Sequence, residues 1–237
     1  MKGFSDLHLH LIPAVDDGCR TIEDSLAMAK ALVELGFVAA APSPHHRPEY
    51  ASADVAAVRL GELKAALTAA NVPLQLHVNA EHFFLDEGLM LGLATARKIG
   101  GQTLLVEAPY TSGLPMLREI IFRMKLKGVT PLIAHPERCL EFEKKGSAEA
   151  AVHAGALLQL DIGALIGRYG KTAQKLAKGF LDQGLYAVAA TDLHSPVGAV
   201  AWVGESIAAL RKGWGEKAVV SLLTDNPAAL LRGEALA

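Results

Sequence analysis

The sequence has little cysteine and no surplus of charge of either sign. Its 237 residues include two cysteines, Cys19 and Cys139. Two are too few for a disulfide scaffold, so we expect a reducing compartment. The formal net charge at pH 7 is −2. Without an excess of positive charge, we expect neither a nucleic-acid partner nor binding to an anionic membrane surface.

Long hydrophobic runs are also missing. No stretch of about 18 or more apolar residues is present, so we expect no membrane insertion. Residues 1–6 carry no apolar signal core, and a cytoplasmic location is therefore expected. Hydrophobic residues nevertheless make up 51% of the chain, which is enough for a large core. The length suits one domain, and we expect a single domain over residues 1–237.

Short apolar runs alternate with longer helical patterns along the whole chain. Strands are predicted at residues 4–11, 37–41, 74–78, 103–106, 129–134, 156–160 and 185–190. Helices are predicted after an N-cap at Thr21, at 52–70, 114–127 and 168–184, and on either side of Gly213. This alternation predicts the α/β class, with parallel strands and right-handed crossovers. A (β/α) barrel, complete or not, is favoured over an open doubly wound sheet, because no Gly-rich turn follows the first strand.

Polar side chains stand at the end of every predicted strand. In parallel α/β folds these ends meet at one edge, where functional groups collect. The residues concerned are His8, His10, Asp16, Asp17, His45, His46, Glu81, His82, Glu107, His135, Glu137, Arg138, Gln159, Asp161, Asp192 and His194. Histidine and carboxylate ligands suit zinc, manganese or iron, so the pattern predicts a metal centre.

The spacing within these groups indicates phosphoryl chemistry. His8 and His10 share one face of their strand because strand side chains alternate, and Asp192 and His194 do likewise. Two or three metal ions about 3.5–4 Å apart would clamp a phosphoryl group and activate a water molecule. Carboxylates such as those of Glu81 and Glu107 are natural bridges between such ions. Arg138 adds a fork-shaped donor for phosphate oxygens.

Four of these positions have a structural explanation as good as the functional one. Asp16 fits the turn that Asp-Asp-Gly sequences favour. Asp161 is explained equally well as a residue of the fold. His46 and His82 either support the site from the loops or contact the substrate.

Two blocks of sequence carry a family resemblance. Residues 6–18 follow the pattern D-x-H-x-H-x-x-P-x-x-D-D-G, and His135 opens the block H-P-E-R. Both resemble the PHP superfamily, named for its polymerase and histidinol-phosphatase members. Within it, the chain is similar to the bacterial protein-tyrosine phosphatases of the CpsB type. Further matching segments cover essentially the whole chain: Pro44-His45-His46, Ala80-Glu81, Leu105-Val106-Glu107, Thr191-Asp192-Leu193-His194 and residues 159–170.

The resemblance implies a distorted (β/α)₇ barrel of the TIM-like PHP type with a site for three metal ions. Manganese is the metal that it suggests, and the ligands would also accept iron, zinc or cobalt. The implied ligands are His8, His10, Asp17, His45, Glu81, Glu107, His135, Asp192 and His194. Arg138, Asp192 and His194 would be catalytic, and Arg138, His46 and Arg47 would bind substrate. A metal-bridging hydroxide would be the nucleophile, so no phosphocysteine intermediate is expected.

The activity implied by the resemblance is hydrolysis of phosphotyrosine on a protein. The expected substrate is the tyrosine-rich tail of a bacterial tyrosine kinase that controls capsule or exopolysaccharide synthesis. One alternative is a small-molecule phosphatase, such as one acting on histidinol phosphate. Another is a non-catalytic PHP scaffold, although all nine ligand positions are occupied here. Self-association into a homo-oligomer is left open.

Overall fold

The computed structural model describes residues 3–236, and parallel strands form its centre. In chain order the strands are β1 Phe4–Asp6, β2 Phe37–Ala40, β3 Gln75–Leu76, β4 His82–Phe83, β5 Thr103–Glu107, β6 Thr130–Ala134, β7 Leu157–Asp161 and β8 Tyr186–Ala190. They form two sheets, ordered β1-β2-β3 and β4-β5-β6-β7-β8. Every neighbouring pair is parallel, which confirms the predicted α/β class.

The connections between strands are mostly helical, as the alternating pattern predicts. The helices are α1 Ile22–Glu34, α2 Ala53–Ala69, α3 Leu89–Gly92, α4 Leu117–Leu126, α5 Ser147–His153, α6 Gly170–Asp182, α7 Ala199–Val220 and α8 Asn226–Leu231. The predicted N-cap of α1 is present as a capping box, because Thr21 and Asp24 each accept a hydrogen bond from the other's backbone N–H. No helix within residues 3–236 combines the length and the apolar composition needed to cross a bilayer.

The two sheets are linked on both sides by isolated bridges. Leu9 pairs with Leu193 in parallel, and His45 pairs with Glu81 in the same way. The hydrogen bonds of these bridges include His10 N–H to Leu193 O at 2.8 Å and Asp192 N–H to His8 O at 2.9 Å. The Leu9–Leu193 bridge lies beyond the carboxyl ends of β1 and β8, and the His45–Glu81 bridge joins the segment after β2 to the residue directly before β4. The chain segments that carry the predicted metal ligands therefore also join one sheet to the other.

Some boundaries differ from the predicted ones. β1 ends at Asp6 instead of residue 11, because the segment from His8 onward bonds to the end of β8. β4 was not predicted, since two residues are too short for a periodic signal. The break expected at Gly213 lies at Gly215, whose φ of 80° interrupts α7.

Apolar residues from both sheets pack together beneath the polar strand ends. Leu7 and Ala41 follow β1 and β2, and they pack with Leu105, Leu132 and Val188 of the larger sheet. All five side chains are fully buried. The helices cover the outer faces with a second and larger apolar cluster. The polar strand ends consequently lie on a close-packed layer of apolar residues, and this layer excludes water from the space beneath them.

Candidate metal centre

His8 and His10 point into one cluster of polar side chains, as their alternation in the sequence predicts. Both side chains are buried, and their ring centroids are 5.6 Å apart. His8 Nε2 lies 3.1 Å from Asp192 Oδ1 and 3.3 Å from Glu81 Oε1. His10 Nε2 lies 3.4 Å from the same oxygen of Asp192. The ends of the first and last strands therefore meet around shared carboxylates.

The second and third strand ends close one side of this cluster. His45 Nδ1 lies 2.8 Å from Glu81 Oε2, and its Nε2 lies 3.4 Å from Asp17 Oδ1. His194 Nε2 lies 3.6 Å from that oxygen of Asp17, and its ring stacks on His10 with centroids 4.0 Å apart. Asp17, half-exposed at the mouth, thus faces two histidines from opposite ends of the chain.

His135 completes the opposite side. Its Nε2 lies 3.4 Å from Glu81 Oε1 and 3.7 Å from Glu107 Oε1. The backbone of His135 has a φ of 30°, and that of Asp192 has a φ of 51°. Positive φ is unfavourable for residues with a Cβ and is found mainly where surrounding structure enforces it, often at functional sites. Two residues at strand ends are thus held in strained conformations within one cluster.

All nine residues proposed as ligands from the family resemblance come together here. They form overlapping groups whose candidate ligand atoms lie within 4.8 Å of one another: His10, Asp17, His45 and His194; His8, His135 and Asp192; His8, His10 and Glu81; and His45, Glu81 and Glu107. The overlap matters because a shared carboxylate can bridge two ions. The arrangement offers nitrogen and oxygen donors in the mixture that suits first-row transition metals.

Unpartnered buried atoms test whether this donor set fits metal ions. Among the described residues, several buried ligand atoms form no hydrogen bond of normal geometry, although each lies 2.8–3.4 Å from another of them: His8 Nε2, His10 Nε2, His45 Nδ1, both oxygens of Glu81 and Asp192 Oδ1. Buried polar atoms are normally hydrogen-bonded, because leaving them unpaired costs free energy. All these atoms point into one cluster, and cations bound there would satisfy them together. The residues present therefore fit metal ions.

The electrostatics of the cluster are consistent with a site built for positive charge. Burial disfavours a charged His8, but the carboxylates of Glu81 and Asp192 outweigh it and raise the pKa of His8 to about 9. The histidines in turn overcome the effect of burial on Glu81 and Asp192, and hold the pKa of both carboxyls well below the usual range. Metal ions would compete with the protons on these imidazoles.

Two hydrogen bonds from outside the cluster orient the first histidines. Asp16 Oδ2 lies 2.7 Å from His10 Nδ1, and Gln159 Oε1 lies 2.8 Å from His8 Nδ1. Each bond leaves the Nε2 of its histidine facing the cluster, the arrangement that carboxylate or amide partners of metal-bound histidines usually impose. Asp16 also accepts from Gly18 N–H, so the turn and the support of His10 are two roles of one side chain.

Arg138 borders the cluster and is held from several sides. Its Nη1 donates to Asp192 Oδ2 at 2.6 Å and to Asp161 Oδ2 at 3.1 Å. Its Nη2 donates to the Tyr110 hydroxyl at 3.0 Å. The guanidinium lies over the ring of Tyr169, 4.2 Å from the centroid, and over that of Tyr110 at 5.0 Å. Asp161 therefore positions this arginine, a contact that the sequence did not reveal.

The other residues predicted to bind substrate occupy different surroundings. Arg47 forms an ion pair with Glu107 through its Nη2, and its guanidinium lies 4.5 Å from the centroid of the Phe83 ring. His46 is exposed and packs on His82, with ring centroids 4.7 Å apart. Arg47 lines the pocket over the cluster, whereas His46 lines a neighbouring hollow.

The pocket over the cluster has a volume of about 240 Å³. Two tyrosines that the sequence analysis did not single out form part of its wall. The Tyr50 ring stacks on His45 with centroids 5.1 Å apart, and the Tyr110 ring stacks on His135 at 5.6 Å. Neither residue directly follows a predicted strand, so only the contacts of the folded chain identify them.

Comparison with known proteins places this geometry in context. Residues 4–232 match the family described as capsular polysaccharide synthesis, CpsB/CapC. The tyrosine-protein phosphatase YwqE of Bacillus subtilis is 29% identical over 237 residues, covering 98% of this chain and 92% of that protein. The putative tyrosine-protein phosphatase CapC of Staphylococcus aureus is 27% identical over 196 residues, covering 80% and 76%.

Solved structures give the same picture. One chain comes from crystal structures of YwqE from Bacillus subtilis and CpsB from Streptococcus pneumoniae, described as unique metal-dependent tyrosine phosphatases. It superposes with a TM-score of 0.90 at 27% identity, covering 98% of this chain and 96% of that one. An organophosphorus hydrolase from Deinococcus radiodurans has a TM-score of 0.60 at 12% identity, a likeness of fold alone.

Proposed function

Since the chain belongs to the CpsB/CapC family of capsular polysaccharide synthesis proteins, we propose that it is a metal-dependent protein-tyrosine phosphatase. One observation carries the proposal: nine histidine and carboxylate side chains converge, several of them with unpartnered buried atoms, and a fixed arginine lies beside them. Such a site combines positive charge for a phosphoryl dianion with a position for an attacking water. The names of the relatives supply the substrate class.

We assign the metal ligands as His8, His10, Asp17, His45, Glu81, Glu107, His135, Asp192 and His194, holding three ions. Manganese is the proposed metal, and iron, zinc or cobalt would suit the same donors. When bound, these ions would neutralise charge on the phosphoryl oxygens and lower the pKa of a water molecule near the phosphorus. Glu81, which faces His8, His45 and His135, is the best-placed residue to serve more than one ion.

Arg138 would bind the phosphoryl group. Its guanidinium is already oriented by Asp161, Asp192 and Tyr110, so little ordering is needed when substrate enters. Asp192 contacts Arg138 through Oδ2 and the histidines through Oδ1, which fixes the arginine relative to the cluster. Arg47 would contribute a second cation at the pocket wall, and His46 would contact a more distant part of the substrate. Tyr50 and Tyr110 would flank the tyrosyl ring.

The proposed substrate is a phosphotyrosine protein, in particular the tail of a tyrosine kinase acting in exopolysaccharide or capsule synthesis in the cytoplasm. The description of the family supports a role in capsule synthesis, and the names of its members support a phosphotyrosine protein as substrate. The kinase tail and the cytoplasmic setting are what the family resemblance implies. We further propose that the two sheets form one distorted barrel and that residues 1–237 are one domain. The bridges Leu9–Leu193 and His45–Glu81 and the apolar cluster shared by both sheets support this interpretation.

The test is phosphate release by metal-stripped protein with and without added Mn²⁺. A phosphotyrosine peptide and histidinol phosphate would be assayed side by side. Metal-dependent release from the peptide alone is expected. Release from histidinol phosphate alone would move the substrate to a small metabolite. No release from either, with metal bound, would favour a non-catalytic scaffold.

A further inference from the structure

The pocket over the metal centre has an adjoining hollow on the side of Arg138. This hollow, which we name the Glu143 hollow, has a volume of about 350 Å³. It shares two wall residues with the central pocket, Tyr110 and Arg138. Its remaining walls include Glu143, Tyr169, Thr172 and Ala173. The two cavities are therefore neighbours that share one arginine and one tyrosine.

A second hollow adjoins the central pocket on the side of Arg47. It has a volume of about 330 Å³ and is lined by His46, Pro48, Ser52 and Asp86. Arg47 and Tyr50 belong to both this hollow and the central pocket. The central pocket over the metal centre therefore adjoins one hollow at Arg138 and Tyr110 and the other at Arg47 and Tyr50.

Two hollows adjoining the central pocket suit a peptide substrate better than a small metabolite. Extended chains advance by about 3.3 Å per residue, with successive side chains pointing to opposite sides. A phosphotyrosine side chain in the central pocket would bring the residues flanking it over the two hollows. A small phosphorylated metabolite would leave both hollows unused.

The charges of the Glu143 hollow are unevenly distributed. Glu137 is buried, and both of its carboxylate oxygens already accept hydrogen bonds: Oε1 from Asp161 N–H and Oε2 from the Tyr186 hydroxyl. Arg138 is held by Asp192, Asp161 and Tyr110. Glu143 is exposed, and it forms no ion pair with any residue that the structure describes. Its carboxylate is therefore the exposed negative charge of the hollow, whereas Arg138 is paired with two carboxylates and would bind the phosphoryl group in the central pocket.

The rest of the hollow matches a long cationic side chain. The Tyr169 ring and Ala173 offer apolar surface on which a methylene stem packs while its charged end stays in water. Glu143 would then face the ammonium or guanidinium group. An acidic side chain would instead meet Glu143 with like charge.

We propose that the Glu143 hollow is a specificity subsite that selects phosphotyrosine peptides with lysine or arginine close to the phosphotyrosine. This inference rests on the proposed phosphatase function and adds a preference for the flanking sequence. Glu143 is its specificity-determining residue.

The test uses the metal-loaded full chain and short phosphotyrosine peptides carrying Lys, Ala or Glu at each of the two positions before and after the phosphotyrosine. At one or more of these positions, kcat/KM for the Lys peptide should exceed that for the Glu peptide by roughly 3–10-fold. This is the range expected when a partly exposed attraction to Glu143 is compared with a partly exposed repulsion from it. Glu143→Gln should reduce this ratio towards one, and Glu143→Lys should invert it. Glu205→Gln, which removes an exposed carboxylate that lines none of the three cavities, should retain it.

Free phosphotyrosine separates the two proposals because it has no flanking residues. If free phosphotyrosine is hydrolysed but the Lys and Glu peptides differ by less than two-fold, the subsite is wrong and the phosphatase function stands. A preference that persists unchanged in Glu143→Gln would also overturn the subsite. If neither free phosphotyrosine nor any peptide is hydrolysed, both the proposed phosphatase function and the proposed subsite are wrong.

Discussion

Arg138 and Asp192, which are 54 residues apart in sequence, are joined by a hydrogen bond of 2.6 Å between Nη1 and Oδ2. The other carboxylate oxygen of Asp192 lies 3.1 Å from His8 Nε2. One carboxylate thus connects the arginine proposed to bind phosphate with the histidines proposed to bind metal. Replacing the arginine should affect phosphate binding more than metal binding, and replacing a histidine should do the reverse. Phosphate binding and metal binding can therefore be separated experimentally.

Replacing Arg138 should impair catalysis while metal remains bound. Arg138→Ala is expected to lower kcat/KM for a phosphotyrosine peptide by about 100-fold, the typical cost of losing one preorganised donor to a developing negative charge. Arg138→Lys should recover part of this loss, because it keeps the charge without the fork geometry. Steady-state kinetics and metal analysis of the same samples provide the check. Arg168→Ala is a matched control, since Arg168 stacks on Trp202 and does not line the central pocket. Unchanged kinetics in Arg138→Ala would remove this residue from the site.

Replacing Asp192 or His194 should abolish both metal binding and hydrolysis. Asp192→Asn and His194→Gln each remove a proposed ligand with little change in volume, so the fold should persist. A loss of activity of about 100-fold or more is expected, because the metal ions supply most of the charge stabilisation in such sites. Circular dichroism, metal content and phosphate release would be measured together, with Asp54→Asn as an exposed carboxylate control. An active, metal-loaded double variant would contradict the ligand assignment.

Asp16 should influence metal affinity without touching metal. Asp16→Ala removes the 2.7 Å partner of His10 Nδ1 and should weaken metal binding by about 10–100-fold. Affinity would be measured by competition with a chelator. Gln159→Leu tests the same idea at His8 without disturbing a turn, because Gln159 lies in β7. If both variants bind metal as tightly as the natural chain, these side chains have only a structural role.

Metal removal should lower thermal stability as well as activity. The cluster gathers Glu81, Glu107 and Asp192 beside five buried or half-buried histidines, and ions that bind only the folded chain stabilise it by mass action. The melting temperature of stripped protein should rise as Mn²⁺ is added, in parallel with recovery of phosphate release. Mg²⁺ at the same concentration is the control, because it prefers oxygen ligands. A melting temperature that is independent of Mn²⁺ would argue against an internal metal site.

The polar residues from which the ligands are chosen could be predicted from the sequence because their signal is local, whereas the choice of nine ligands among them came from the family resemblance. Most of these polar residues follow a short apolar run, and parallel strands bring such positions to one edge of the fold. The alternation in His8-Leu9-His10 further fixes the direction of two side chains. No contact between distant segments had to be known to reach this part of the site.

The supporting contacts could not be predicted because they depend on pairs far apart in the chain. His8 and Gln159 are separated by 151 residues, and nothing in either neighbourhood specifies the other. The same holds for Asp161 beside Arg138 and for the tyrosines of the pocket wall. β4 was not predicted for another reason. It has only two residues, which are too few to show a periodic pattern, and it is a strand because the fold places these residues beside β5.

The bridge between Leu9 and Leu193 has a consequence for biosynthesis. His8 and His10 leave the ribosome well before Asp192 and His194, because they precede them in the sequence. A nascent chain can fold its early helices and strands in the meantime. It cannot assemble the complete ligand set until its last strand arrives, so truncated or stalled chains should neither acquire a full complement of metal nor dephosphorylate anything they meet.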